Sequence, residues 1–195
     1  MNYSTASERN KAPILEVLKL ELPDFGEVCE IGSGTGQHAA FFSKELPHLV
    51  WQPCDLLENH PDIQARVDMA QLPNLKSPLA LDVNDFPWPV TSTEAVFSAN
   101  TLHIISKESV QSFFKGIKQV LKSGGKLCVY GPFNYGGTFT TESNARFDQQ
   151  LKRRDPASGI RDFEWVNQLA GEAGCSLRKD YEMPANNRLL VWMKR

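Results

Sequence analysis

Residues 28–36 read VCEIGSGTG, an apolar run that ends in an acid and then in glycines at every second position. Gly32, Gly34 and Gly36 are followed at once by QHAAFFSKEL, a helix-like stretch stopped by Pro47. Glycines in that place let the chain reverse sharply and let a ligand approach the main chain. A strand, a glycine turn and a helix in that order open a parallel α/β sheet. The helix start offers unpaired N–H groups and a positive dipole end, which suits a carboxylate or phosphate. The dinucleotide fingerprint G-x-G-x-x-G would need glycine at position 37, where Gln37 stands, and no G-K-[ST] follows for a phosphate-binding loop.

The rest of the chain agrees with an α/β reading. Helices are expected over about Pro13–Leu20, to Leu46 after the glycines, after Asn59, and from Ser106, with Gly124–Gly125 ending the last of these. Val110, Phe113, Phe114, Ile117, Val120 and Leu121 form its apolar stripe. Strands are expected at Val28–Ile31, Leu49–Cys54, Leu79–Val83, Ala95–Ala99 and Lys126–Tyr130. Residues 133–161 read as an insertion with a helix near Glu142–Lys152. A helix at Asp162–Ala173 and two strands, Leu177–Glu182 and Leu189–Met193, follow it. The 195 residues suit one domain, with 1–25 as an N-terminal arm and helix.

A net charge of −2 supplies no global basic field, so no nucleic-acid partner is expected. No apolar run approaches the roughly 20 residues of a membrane span, and the polar start lacks a signal-peptide core. A cytoplasmic protein is expected. Cys29, Cys54, Cys128 and Cys175 are far apart in sequence with no C-x-x-C pair, so they read as reduced thiols and no metal is expected.

Acids recur where an α/β sheet binds ligands, at strand C-termini. Asp55, followed by Leu56, ends the second strand and is placed to accept a ribose diol, or else to cap the next helix. Asp82, followed by Val83, ends the third, and Asn100 the fourth. Glu30 lies in an apolar run and needs donors, which the glycine turn is expected to supply. With Glu30, Gly32, Ser33, Gly34, Thr35 and Gly36, this spacing resembles the first motif of class I S-adenosylmethionine-dependent methyltransferases. The resemblance implies a Rossmann-like, mostly parallel seven-stranded sheet, helices on both faces and a C-terminal antiparallel hairpin. It also implies S-adenosyl-L-methionine as cofactor, with Asp82 receiving the adenine amino group and Val83 packing the ring.

A closer resemblance runs along nearly the whole chain. SERNKAPILEVL, LHIIS, CVYGPF, SNARFDQQLKRRDPASGIRD and EMPANN are together similar to the DUF938 family, also called UPF0585, of methyltransferase-like proteins. The family implies the class I fold and the cofactor, and it supplies no substrate.

Methyl transfer is an in-line displacement in which the protein mainly positions the reactants, with a base where the acceptor must lose a proton. His103, after the fourth strand, is the leading candidate, and Tyr135 with Tyr130 comes next. His103 is otherwise a hydrogen-bonded loop residue. His38, at the start of the cofactor helix, touches the ligand or caps the turn. Arg9, in the arm, is expected to fork onto the cofactor carboxylate. Phe133 and Tyr135 are expected in an aromatic acceptor pocket, with Asn186 and Asn187 as hydrogen-bonding groups. A small organic acceptor is the leading expectation. A cofactor-binding module without transfer activity and a protein or RNA methyltransferase are the alternatives.

Overall fold

The apolar run before the glycines forms β1 (Glu27–Ile31), buried at four of its five residues. A strand without a polar face is covered on both sides, as central parallel strands are. The structure, a computed structural model, describes residues 2–195. β2 (Val50–Asp55) and β4 (Thr93–Ala99) flank β1 in parallel. β3 (Leu79–Ala80) pairs with β2, and β5 (Leu121–Gly131) with β4. β8 (Cys175–Met183) and β9 (Asn187–Lys194) complete the order β3-β2-β1-β4-β5-β9-β8, with β9 antiparallel to both neighbours. Strand order reverses between β1 and β4, where such sheets open a crevice at their C-terminal edge.

Side chains alternate between the two faces with the period of a strand. Val28, Phe97, Cys128 and Leu189 pack with Ile14 and Leu18 of α1 (Thr5–Glu21) and with Phe42 of α2 (Gln37–Glu45). Val67 and Ala70 of α3 (His60–Ala70) lie against the same cluster. Ile31, Val96, Leu127 and Trp192 face the other way. They pack on Phe113 and Ile117 of α4 (Lys107–Val120) and Val166 of α6 (Phe163–Glu172).

Four local expectations change. α1 begins at Thr5, so the expected N-terminal arm is helical and Pro13 lies inside it, not in its first turn. Proline removes the N–H that would serve the Arg9 carbonyl, at a cost of about 3 kcal/mol. Burial of Ile14, Leu15, Val17 and Leu18, at about 1.5–3 kcal/mol each, outweighs it. β3 stops at Ala80, which puts Asp82 and Val83 in the turn beyond. α4 ends at Val120, ahead of Gly124–Gly125, and those glycines sit where the β4–β5 register shifts. The 133–161 segment holds β6 (Phe133–Asn134) and α5 (Glu142–Arg154), and it runs into β7 (Arg161–Asp162), which pairs in parallel with β6.

Candidate functional site

The glycine turn is bound to the end of β2. Gly32 and Ser33 donate their N–H groups to the Cys54 carbonyl at 3.0 and 3.2 Å. Gly34 N–H donates to Asp55 Oδ2 at 2.6 Å. Asp55 Oδ1 accepts from Leu56 N–H at 2.7 Å and Asn59 Nδ2 at 2.8 Å. Asp55 therefore both caps its own turn and anchors the loop. Three bonds on a carboxylate with about four lone-pair sites leave one for a ligand hydroxyl.

Gly32 and Gly34 have φ of 79° and 57°, in the left-handed region. A methyl group at Gly32 would stand 2.4 Å from Thr101 Oγ1, whereas one at Gly34 would meet nothing within 4 Å. The main chain at Gly34 thus borders open space, the condition a loop-bound ligand requires. Asp82 is part-exposed just past β3, and its Oδ1 takes both bonds from Asn84. Its Oδ2 keeps its lone pairs for an incoming donor. Asn100 ends β4 at φ 57°, with its N–H on the Tyr130 carbonyl at 2.9 Å. Leu56 is exposed beside Asp55, and Val83 is buried beside Asp82. Open main chain, an acid on each side and an apolar residue fit the amino-acid tail, ribose and base of S-adenosylmethionine.

Glu30 and His38 have other partners. Glu30 is 1% exposed and accepts from Trp51 Nε1 at 3.0 Å, so the donor is a β2 indole, not the glycine-turn main chain. Burial raises its pKa to about 7, against the opposing effects of Trp51 and Ser33. Ser33 turns inward, its hydroxyl accepting from Cys54 N–H at 3.2 Å. Thr35 Oγ1 lies 3.0 Å from Gln37 Oε1. His38 Nε2 meets Asn10 Oδ1 of α1 at 2.7 Å, and its ring stacks on Phe42. Burial, then the charge of Lys11, lowers its pKa to about 4. His38 joins two helices and is not placed as a ligand contact.

A second cavity of about 400 Å³ adjoins the crevice at Asn100. α1 contributes Arg9 and Asn10, α5 contributes Asn144 and Phe147, and the 184–187 turn contributes Asn186 and Asn187. Tyr130 is also in its wall. Both asparagines of the PANN turn line the cavity.

Phe133 and Tyr135 do not reach it. Phe133 is 2% exposed in the core under α4 and α6. Tyr135 donates its hydroxyl to Asp180 Oδ2 at 2.8 Å and stacks on Phe163. Burial and then the Asp180 carboxylate hold its proton well above the usual phenol range. A phenol so held is not a base. The aromatic walls are instead Phe147 and Tyr130, because α5 turns the insertion's SNARF segment inward.

His103 stands behind this wall. It is 6% exposed, packs edge-on against Phe147, and its Nδ1 would lie 3.6 Å from a methyl at Gly131, with Asn100 Oδ1 at 4.0 Å from the same point. Burial, then the charge of Arg161, lowers its pKa to about 4, which keeps the ring neutral at pH 7. The loop carrying it is fastened from the insertion. Gly159 N–H donates to the His103 carbonyl at 2.9 Å and Ser158 Oγ to that of Ile104 at 2.5 Å. Arg161 Nε donates to the Leu102 carbonyl at 3.0 Å, and its Nη2 to that of Ile105 at 2.5 Å. Arg161, 5% exposed, is missed by a sequence reading because its partners are all main chain.

All four cysteines are buried, and the Cys29 and Cys54 sulfurs lie 3.6 Å apart. Among the described residues no helix is long and apolar enough to cross a membrane.

Solved structures with this architecture include methyltransferases. An O-methyltransferase family protein from Burkholderia thailandensis superposes with a TM-score of 0.82 at 16% identity, covering 94% of this chain and 56% of that one. An O-methyltransferase family 2 protein from Planctomyces limnophilus, in complex with apigenin, gives 0.84 at 13%, covering 97% and 58%. PigF with S-adenosylhomocysteine gives 0.82 at 15%, covering 96% and 56%. The chain spans just over half the length of these structures. The sheet order and this likeness together make the fold that of the class I methyltransferases, Rossmann-like in build. The profile of DUF938, described as a protein of unknown function, matches residues 1–194, and the chain belongs to that family.

Proposed function

We propose that this protein is an S-adenosylmethionine-dependent methyltransferase acting on a small organic acceptor. The observation that carries the reading is the bare main chain at Gly34, bonded to Asp55, at the sheet edge where Asn100 lines a neighbouring cavity. The cofactor, when bound, supplies a methyl group already activated on a sulfonium. The glycine turn holds its amino-acid tail, the remaining lone pair of Asp55 takes a ribose hydroxyl, and Asp82 Oδ2 takes the adenine amino group. Asn100 marks the passage to the acceptor. His103 is neutral at pH 7 but lies behind the Phe147 wall and does not line the cavity, so this reading assigns it no direct contact with the acceptor. The small cavity and its amide-rich wall favour a metabolite over a macromolecule.

Thermal melting and calorimetry with S-adenosylmethionine, S-adenosylhomocysteine and NAD test the cofactor. A ligand at a hundred times its Kd adds about 2.7 kcal/mol of stability. A shift with NAD alone would overturn the reading. Methyl-labelled cofactor in a metabolite extract then tests transfer. Label in small molecules is the expected outcome. Binding without transfer leaves a cofactor-binding module, and label in protein or RNA changes the acceptor class.

A further inference from the structure

Of the residues lining the second cavity only Arg9 is charged, and none is a carboxylate. The Arg9 guanidinium makes no hydrogen bond or ion pair with any described residue. Arg188 is held by Asp180 and Glu182, Arg66 by the Thr35 and Asn2 carbonyls and Arg161 by its loop, whereas Arg9, exposed like the unpaired Arg153 and Arg154, differs from those two in lining a cavity. Arg9 is not placed there by a loose tail. Its neighbour Asn10 is 8% exposed and bonded to His38 Nε2 at 2.7 Å, which fixes the turn of α1 that carries it.

The opposite wall is strained. Ala185 and Asn186 have φ of 57° and 59° in succession, a conformation L-residues avoid and one that persists where surroundings enforce it. α5 enforces it, with Asn144 Nδ2 on the Asn186 carbonyl at 3.4 Å and Asn186 Nδ2 on Ser143 Oγ at 3.3 Å. An amide-bearing turn tied to α5 therefore shares the cavity wall with one unpaired guanidinium.

We infer that the acceptor bears an oxyanion, a carboxylate or phosphate ester, gripped by the Arg9 fork, with a flat body against Phe147. A planar guanidinium with no protein partner matches such a group in charge and geometry, and no wall carboxylate repels it. The inference rests on the reading of this cavity as the acceptor site. It also assigns Arg9 to the acceptor, against the sequence expectation that it serves the cofactor carboxylate. The two assignments predict opposite results.

The test is calorimetry on the full chain saturated with S-adenosylhomocysteine, using benzoate, phenyl phosphate and the neutral benzamide as probes. At least one anion binds about tenfold or more tighter than benzamide, and the tighter anion identifies the oxyanion. Arg9→Gln removes the preference and leaves S-adenosylhomocysteine affinity within about twofold, while Arg9→Lys restores part of it. Equal binding of anions and amide, or binding of none, overturns the inference. So does an Arg9→Gln variant that loses cofactor affinity and keeps the preference. Failure of S-adenosylhomocysteine to bind, with the anion preference intact, removes the methyltransferase reading and leaves the anion site standing.

Discussion

Gly32 and Gly34 are two residues apart and both left-handed, yet a methyl group has different consequences at each. Gly32→Ala drives a Cβ into Thr101 and adds backbone strain, for a loss of about 2–4 kcal/mol. Gly34→Ala costs about 1–2 kcal/mol of strain alone, but its Cβ occupies the space above the loop. Melting curves should show the larger drop for Gly32→Ala. Calorimetry should show S-adenosylhomocysteine bound at least about tenfold more weakly by Gly34→Ala. Wild-type affinity in Gly34→Ala would remove the cofactor from this turn. The turn and Asp55 were legible in the sequence because covalent neighbours and the adjoining strand end determine them. Phe133 and Tyr135 were not. Which side of the sheet edge an aromatic residue faces depends on the pairing of β6 with β7, and two-residue strands leave no periodic trace.

The Ala157–Arg161 segment works as a fastener for the β4–α4 loop. Arg161 is the central piece, since its guanidinium satisfies carbonyls at Leu102, Ile105 and Ala157. Arg161→Leu leaves those acceptors without a donor, at about 2–4 kcal/mol. Amide exchange should quicken at Gly159, whose N–H meets the His103 carbonyl. Unchanged protection there would mean that Ser158 and the chain itself suffice. At this scale the stripe of α4 from Val110 to Val120 is legible because it repeats over several turns, whereas Leu121, which continues the pattern, already belongs to β5. α1 was read too short because Pro13 resembles a helix start, and only packing reveals that the helix runs through it.

Three buried titratable groups leave a signature in the stability of the whole molecule. His38 and His103 have folded pKa values near 4 against an ordinary 6.5. Between those values the unfolded chain binds two more protons, so they make stability rise with pH and fall on acidification. Glu30 does the reverse: raised from 4.5 to about 7, it keeps its proton in the native state, so stability falls as pH rises through that range. Two histidines against one carboxyl leave one net proton. Urea melts between pH 5 and 6 should gain about 1 kcal/mol per pH unit. Glu30→Gln should roughly double that slope to about 2.3 kcal/mol per unit, and an unchanged slope would mean that Glu30 is ionised in the native state. The mostly parallel sheet was legible from the alternation of helix and strand patterns. The burial of Glu30 under Trp51 was not, because the indole comes from a different strand.

β9 follows every other strand in sequence, yet it lies inside the sheet between β5 and β8, and the turn before it shares the wall of the second cavity with α1. A polypeptide emerging from the ribosome can therefore make the glycine turn early. It cannot make the adjoining chamber until residues 187–194 have left the exit tunnel and inserted. A chain without those residues lacks that chamber wall, whatever its glycine turn has already formed.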